Sequence, residues 1–191
     1  MPRAGLSPAR VVEVAAEIAD EAGFEALSLA AVAERCGVRL PSLYKHVRSL
    51  DAVRLEVSAL AIRELGAATT AAVLGHSRRD AVLAMAVAWR AYARTHPGRY
   101  AATVAAPTGE HQGQADAAAA FLVVVEATLA GYGLRGDDAI DAARGVRSTL
   151  HGFVDLENRG GFGLPVDVDR SFERLVLALE GQLQAWATTD G

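Results

Sequence analysis

Along this chain the apolar residues recur at spacings of three and four, and Val, Ile and aromatic residues do not gather in short alternating runs. The pattern predicts an all-α fold, cut by turn signals into about nine helical pieces. Ser7 is placed to cap the first helix, and Pro8 suits its first position. Val11, Ala15, Ile18 and Ala19 share one face of it, and Gly23 ends it. Ser28 caps a short second helix that turns Leu29, Val32, Ala33 and Cys36 inward, and Gly37 allows a tight turn. A third short helix is expected from about Leu40 to His46, with Leu43 and Val47 toward the core. Ser49 caps a longer fourth helix running through Leu65 to Gly66.

Downstream, one helix is expected from Arg78 to Thr95, stopped by His96-Pro97-Gly98. A short segment from Arg99 to Ala106 ends at Pro107-Thr108-Gly109. A long helix covers Gln112 to Gly131, and the next, capped by Asp137 or Asp138, continues to about Asn158. The loop from Arg159 to Pro165 precedes a final helix, Asp169 to about Trp186. The expected organisation is a three-helix head over residues 1–48 and a helical bundle over residues 49–191.

Composition agrees with the pattern. The chain has 191 residues, 51% of them hydrophobic and only 6% aromatic, and alanine, the best helix former, dominates the apolar share. Such a length buries a core without staples. The single cysteine, Cys36, excludes an intrachain disulfide and a thiolate zinc cluster and is expected to pack as a small hydrophobe in a reducing compartment. The N-terminus lacks an apolar leader. The longest charge-free apolar run, Ala117 to Val125, is far shorter than the roughly 20 residues that cross a bilayer. A cytoplasmic protein without a membrane partner is expected. Abundant alanine and arginine beside one lysine point to a GC-rich bacterial genome.

Charge changes the picture by its distribution. The net charge is −4, yet residues 1–50 carry six bases and six acids, and the deficit lies wholly downstream. From Arg35 to Arg48 there are four bases and no acid. This is the one stretch that welcomes a phosphate backbone.

The same stretch carries the decisive motif. Residues 28–47, SLAAVAERCGVRLPSLYKHV, read as two short amphipathic helices joined by a Cys-Gly-Val turn. In that arrangement the first helix braces the second, which is small enough to enter the major groove. Arg39, Ser42, Tyr44, Lys45 and His46 are left for solvent or DNA. Gly23-Phe24, the run from Ala33 to Val38, and Leu43-Tyr44-Lys45-His46-Val47 resemble the helix-turn-helix signature of the TetR family of regulators. A second stretch, from Val146 to Phe153 followed by Leu156-Glu157, resembles a TetR subgroup with a Trp-His-Gly motif, although Leu150 stands in the tryptophan's place.

The resemblance implies double-stranded DNA as partner, with Tyr44, Lys45 and His46 at phosphates and Arg39 and Ser42 at base edges and nearby backbone. Leu40 and Pro41 start the recognition helix and offer apolar contact to a thymine methyl. Ser28 and Ser49 flank the motif as caps, Ser49 placing the positive end of the fourth helix toward a phosphate. The family's lysine just inside that helix is replaced by Leu50. The resemblance also implies a small-molecule effector, hydrophobic or aromatic, in the body. Met85, Trp89, Tyr92 and His96 recur at helical spacing and, with Phe121, Val125, Arg147 and His151, are the candidate lining. The bland alternative for the stripe is ordinary core. It further implies a homodimer through the last two helices, with candidate residues Leu150, Val154, Phe172, Leu175, Val176, Leu179, Leu183 and Trp186. Their alternative is packing within one chain.

Two other readings stay open at this point. A small helical enzyme would draw on His96, His151, Asp155 and Glu157, but no nucleophile with its base, phosphate loop or metal cage has the required spacing. The glycines at 160–163 follow a helix, not a strand. His151 and Asp155, four apart, make two ligands without a third, so neither metal nor cofactor is expected. A ligand-independent helical interaction module is the remaining alternative.

Overall fold

The structure, a computed structural model, describes residues 6–105 and 111–187. Among them lie nine α-helices and no strand: α1 (Pro8–Ala22), α2 (Leu29–Arg35), α3 (Leu40–Leu43), α4 (Leu50–Val73), α5 (Arg78–Thr95), α6 (Pro97–Ala102), α7 (Gln112–Ala130), α8 (Gly136–Asn158) and α9 (Val168–Ala187). A single 3₁₀ turn, Phe24–Ala26, follows α1. The chain packs as two compact units, one from residues 1–64 and 96–118 and the other from residues 65–95 and 119–191. Both α4 and α7 contribute residues to each.

The punctuation read from the sequence works largely as chemistry demands. Ser7 Oγ accepts from the Arg10 N–H at 3.2 Å, and Pro8 opens α1. Gly23 closes it at φ 93°, and Gly37 turns the chain at φ 68°, both in the left-handed region that glycine enters freely. Ser28 Oγ accepts from the Ala31 N–H at 3.3 Å, and Ser49 Oγ from the Ala52 N–H at 3.1 Å.

Four boundaries differ from expectation. α4 runs past Gly66 to Val73. A glycine inside a helix costs only about 1 kcal/mol against alanine, and here the Phe121 side chain lies over it, 3.6 Å from where a Cβ would stand. α3 is a single α-helical turn, continued through Lys45 and His46 by N–H bonds to Ser42 and Leu43 carbonyls. α6 starts at Pro97, since proline opens a helix as readily as it stops one. It ends at Ala102, short of the expected Ala106, with Thr103 as its cap; Ala106 itself and the turn Pro107-Thr108-Gly109 lie outside the described residues. α8 begins at Gly136 after extended Arg135, so Asp137 and Asp138 sit within its first turn, where their charge suits the positive helix end. α7, nineteen residues with a mean hydropathy of 1.3 over its most apolar window, is long and apolar enough by those two measures to cross a bilayer. It nevertheless buries Gln114, Ala117, Val125, Thr128 and Leu129 inside the chain.

In the first unit, Val11, Val14, Ala15, Ala16 and Ile18 of α1 pack with Leu27, Val32, Ala33, Leu43, Val53, Val57 and Ala102. The end of α1 and the start of α6 approach so closely that a Cβ on Gly98 would stand 1.8 Å from the Ala19 carbonyl oxygen. Asp20 secures this contact, accepting from the Arg99 backbone N–H at 2.8 Å and pairing with the Arg99 guanidinium at 3.0 Å. The same guanidinium donates to Glu64 of α4 at 3.1 Å. A buried polar chain, Gln114 to Ser58 to the Ala102 carbonyl, joins α7, α4 and α6 at 2.8 and 2.7 Å.

The second unit is organised around Arg90. From α5 its guanidinium reaches Glu157 of α8 with two bonds, 2.5 and 2.8 Å, and Asp169 of α9 at 2.7 Å. It lies 4.7 Å from the Phe172 ring centroid and 5.6 Å from that of Phe153. The Glu157 bonds hold the guanidinium charged, above the ordinary arginine range. Further along the same helices Ala81, Val82, Met85 and Ala86 of α5 are buried, as are Ala139, Ala142 and Val146 of α8. Beyond the end of α7, the Tyr132 hydroxyl donates to buried Glu180 of α9 at 3.0 Å, and Gln184 donates to the same oxygen at 2.6 Å. Burial, reinforced by Glu180, pushes the Tyr132 phenol well above its usual range.

Three outcomes are expected. Gly98→Ala forces α6 off α1, because the atom in the way is backbone; a loss of about 3 kcal/mol is expected in denaturant unfolding. Arg90→Ala, which strands the largely buried Glu157 carboxylate, should cost about 3–5 kcal/mol, and the paired change Arg90→Met with Glu157→Leu should recover most of it. For Tyr132, the folded chain holds the phenol protonated while the unfolded chain releases its proton near pH 10. Its contribution is thus complete below that pH and is lost as pH rises further, so Tyr132→Phe should flatten the alkaline limb of a stability profile.

Candidate nucleic-acid interface

The α2–turn–α3 segment presents one side inward and the other to solvent. Leu43 is completely buried, and Val47 is half-buried against the same core. Arg39, Pro41, Ser42 and Lys45 are exposed, Tyr44 is 54% exposed, and Leu40 stands at the edge of exposure. His46 is half-buried. The spacing explains the division: three consecutive residues after Leu43 sweep most of a turn before Val47 returns to the inner face. Ser28 and Ser49 have their side-chain oxygens committed to capping α2 and α4. Leu50 is half-buried against the head core. The arrangement is an exposed ridge carrying a guanidinium, an ammonium, a phenol and a hydroxyl on and flanking one small helix. Such groups donate to phosphates and base edges.

Electrostatics refine the basic window. Arg35 makes a bidentate pair with Glu21 of α1 at 2.6 and 3.0 Å, which pulls the Glu21 carboxyl below its usual range and raises the arginine's. Arg10 is similarly held by Glu13 at 3.1 Å and Glu17 at 3.3 Å. Cys36 is half-buried, and burial pushes its thiol up, away from the reactive thiolate.

The candidate effector residues separate. Met85, Trp89, Tyr92 and Val125 are buried in the second unit, with Phe121 and His151 half-buried there and the Trp89 and Phe121 rings 5.2 Å apart. Arg147 is exposed. His96 belongs to the first unit, its Nδ1 3.2 Å from Asp20.

Of the candidate dimer residues, Leu150, Val154, Phe172, Val176, Leu179 and Leu183 are buried within the second unit of one chain, and Leu175 is half-buried. Only Trp186 faces outward, 44% exposed. The inner apolar stripe of α8 and α9 is thus occupied by the chain itself. Sequence reasoning passed over a different face: Ser148, Gly152 and Leu156 on α8 with Leu177, Ala178 and Gly181 on α9, all exposed. The readable signal was small and apolar residues repeating at three and four off the main stripe. The acid–base candidates are otherwise engaged, Glu157 by Arg90 and Asp155 by Arg159 at 2.9 Å.

Comparison with known proteins agrees with this geometry. The family model described as bacterial regulatory proteins, tetR family, matches residues 11–57. That of the tetracyclin repressor-like C-terminal domain matches residues 82–179. An uncharacterized HTH-type transcriptional regulator of Mycobacterium tuberculosis is 38% identical over 192 residues, covering 98% of this chain and 86% of that protein. A second, from Bacillus subtilis, is 34% identical over 170 residues, 87% of each. Among solved structures, a TetR variant from Acinetobacter baumannii AYE in complex with minocycline superimposes with a TM-score of 0.73 at 20% identity, over 97% of this chain and all of that one. On the matched head, the matched body and these relatives, the chain belongs to the TetR family of DNA-binding transcriptional regulators, a class that is not enzymatic.

Proposed function

We propose that this regulator acts in the cytoplasm as a homodimer on a palindromic operator, represses transcription there, and is released by a small hydrophobic or aromatic effector. The observation that carries the reading is the outward ridge of Arg39, Ser42, Tyr44 and Lys45 over a fully buried Leu43. Tyr44, Lys45 and His46 take phosphates, and Arg39 and Ser42 lie nearest the base edges, with Leu40 and Pro41 at the groove wall. Two such heads reading successive major-groove faces sit about 34 Å apart, one helical turn of DNA.

The second copy meets the outward face of α8 and α9. Its glycines let helices approach closely, and Trp186, Leu156 and Leu177 supply apolar area. The effector reading is supported by the Trp89–Phe121 pair and by Met85, Tyr92 and Val125, buried in the same unit. An effector that prefers one state of the body shifts the population toward it, by no more than its differential affinity for the two states.

The test is binding of the full chain to a duplex carrying a palindromic site near its own gene, across a salt series. Affinity is expected to fall steeply with salt. Lys45→Ala should weaken binding to every sequence alike, and Arg39→Ala should cost about 1–3 kcal/mol and relax sequence preference. A flat salt response from the unaltered protein would overturn the reading.

A further inference from the structure

Among the described residues one non-glycine has its backbone in the left-handed region: Arg78, the first residue of α5, at φ 48°. A side chain crowds its own backbone there, so the conformation persists only where something holds it. Arg78 Nε donates to the Gly131 carbonyl, just beyond the end of α7, at 2.9 Å. A Cβ on Gly131 would stand 3.4 Å from the Arg78 amide nitrogen and 3.5 Å from its Cγ, so the two residues lie directly against each other. The next residue, Tyr132, is tied to Glu180 of α9. Arg78 is exposed, and its side chain makes no other hydrogen bond or ion pair among the described residues.

We propose that Arg78 is a two-position clip between the corner joining α4 to α5 and the end of α7, and that the regulator changes state by opening it. The proposal rests on the effector reading above and names the element that an effector biases. Two settings exist because two opposing effects nearly balance. A left-handed arginine costs about as much as a charged donor gains on a carbonyl, and water competes for a bond at the surface. Closed, the strain is held by that bond and by the negative end of α7, which favours a cation. Open, the backbone relaxes and α5 starts in another direction. Both sides of the clip lead to places where the setting matters. Trp89 and Phe121, the ring pair of the effector reading, lie on α5 and α7, the two helices that the clip joins. On the other side of the corner, α4 is one continuous helix from Leu50, the residue after the Ser49 cap, to Val73. An element with two arrangements that both sites bias is what couples them.

The experiment compares the full chain with Arg78→Ala and Arg78→Gly. Alanine keeps the cost of the left-handed backbone and lacks the bond. Glycine lacks both, so it keeps the closed setting. Hydrogen exchange read by mass spectrometry over residues 79–84 should be about tenfold faster in Arg78→Ala, the loss of one such bond, and close to the unaltered rate in Arg78→Gly. Affinity for a duplex with a palindromic site near its own gene should change by about fivefold or more in Arg78→Ala and hold in Arg78→Gly. The direction of that change tells which setting binds the operator. Affinity for a duplex of mixed sequence, which does not depend on the spacing of two heads, should be unaltered in both variants. A variant that had merely lost stability would weaken on both duplexes alike. Far-UV circular dichroism, expected to coincide for the three chains, shows that each is folded. Equal exchange in the alanine and glycine variants overturns the clip. Different exchange with unaltered affinity for the palindrome overturns its part in regulation. If the unaltered chain binds neither duplex, the function proposed above falls, while the clip stands or falls on the exchange comparison.

Discussion

A helix of four residues has no stability of its own, because forming its first turn fixes several dihedrals for one hydrogen bond. What holds α3 in place is therefore a side chain: Leu43, buried with Val32 and Ala33 of α2 and Val53 and Val57 of α4. Every functional group of the ridge takes its direction from that contact. Residues before and after Leu43 point outward because the inward position is taken, and Gly37 lets α2 turn back sharply enough for the seat to exist. The capping serines, Ser28 and Ser49, fix where the bracing helices begin. The head can thus present polar groups on a fragment that would be unstructured alone.

The second unit meets a different requirement with a different device. Three amphipathic helices, α5, α8 and α9, turn their apolar stripes toward one another, and a charged group, Arg90, stands among them. Burying a guanidinium is costly unless its charge and its donors are all answered. Here Glu157 answers with two bonds, Asp169 with a third, and two phenylalanine rings lie over the cation. Such a cluster specifies which helices meet and in what register, since a slipped α8 would leave the arginine unpaired. The same cluster explains why Glu157, plausible in the sequence as an acid–base group, has a structural duty.

Much of the head was legible in advance. Its caps, its turn glycine, the inward Leu43 and the outward polar residues all follow from local chemistry and from period-3.6 patterning over short spans. Charge asymmetry located the basic window, but not which cations within it are held in ion pairs. Arg35 and Arg48 look alike along the chain; only the fold brings Glu21 to one and leaves the other alone.

The body was legible as helices and much less so as surfaces. Residue order by itself determined that the chain is all-α, where most helices begin, and that a helix-turn-helix opens it, because capping, turn conformation and amphipathic period act over a few neighbours. Tertiary structure decided that α4 continues through Gly66, that α6 rests on α1 through a glycine with no room for a methyl group, and that the apolar stripe of α8 and α9 is covered by the chain itself. A stripe announces that it will be buried, but not against what. That answer depends on contacts between residues dozens of positions apart, which local spacing does not encode.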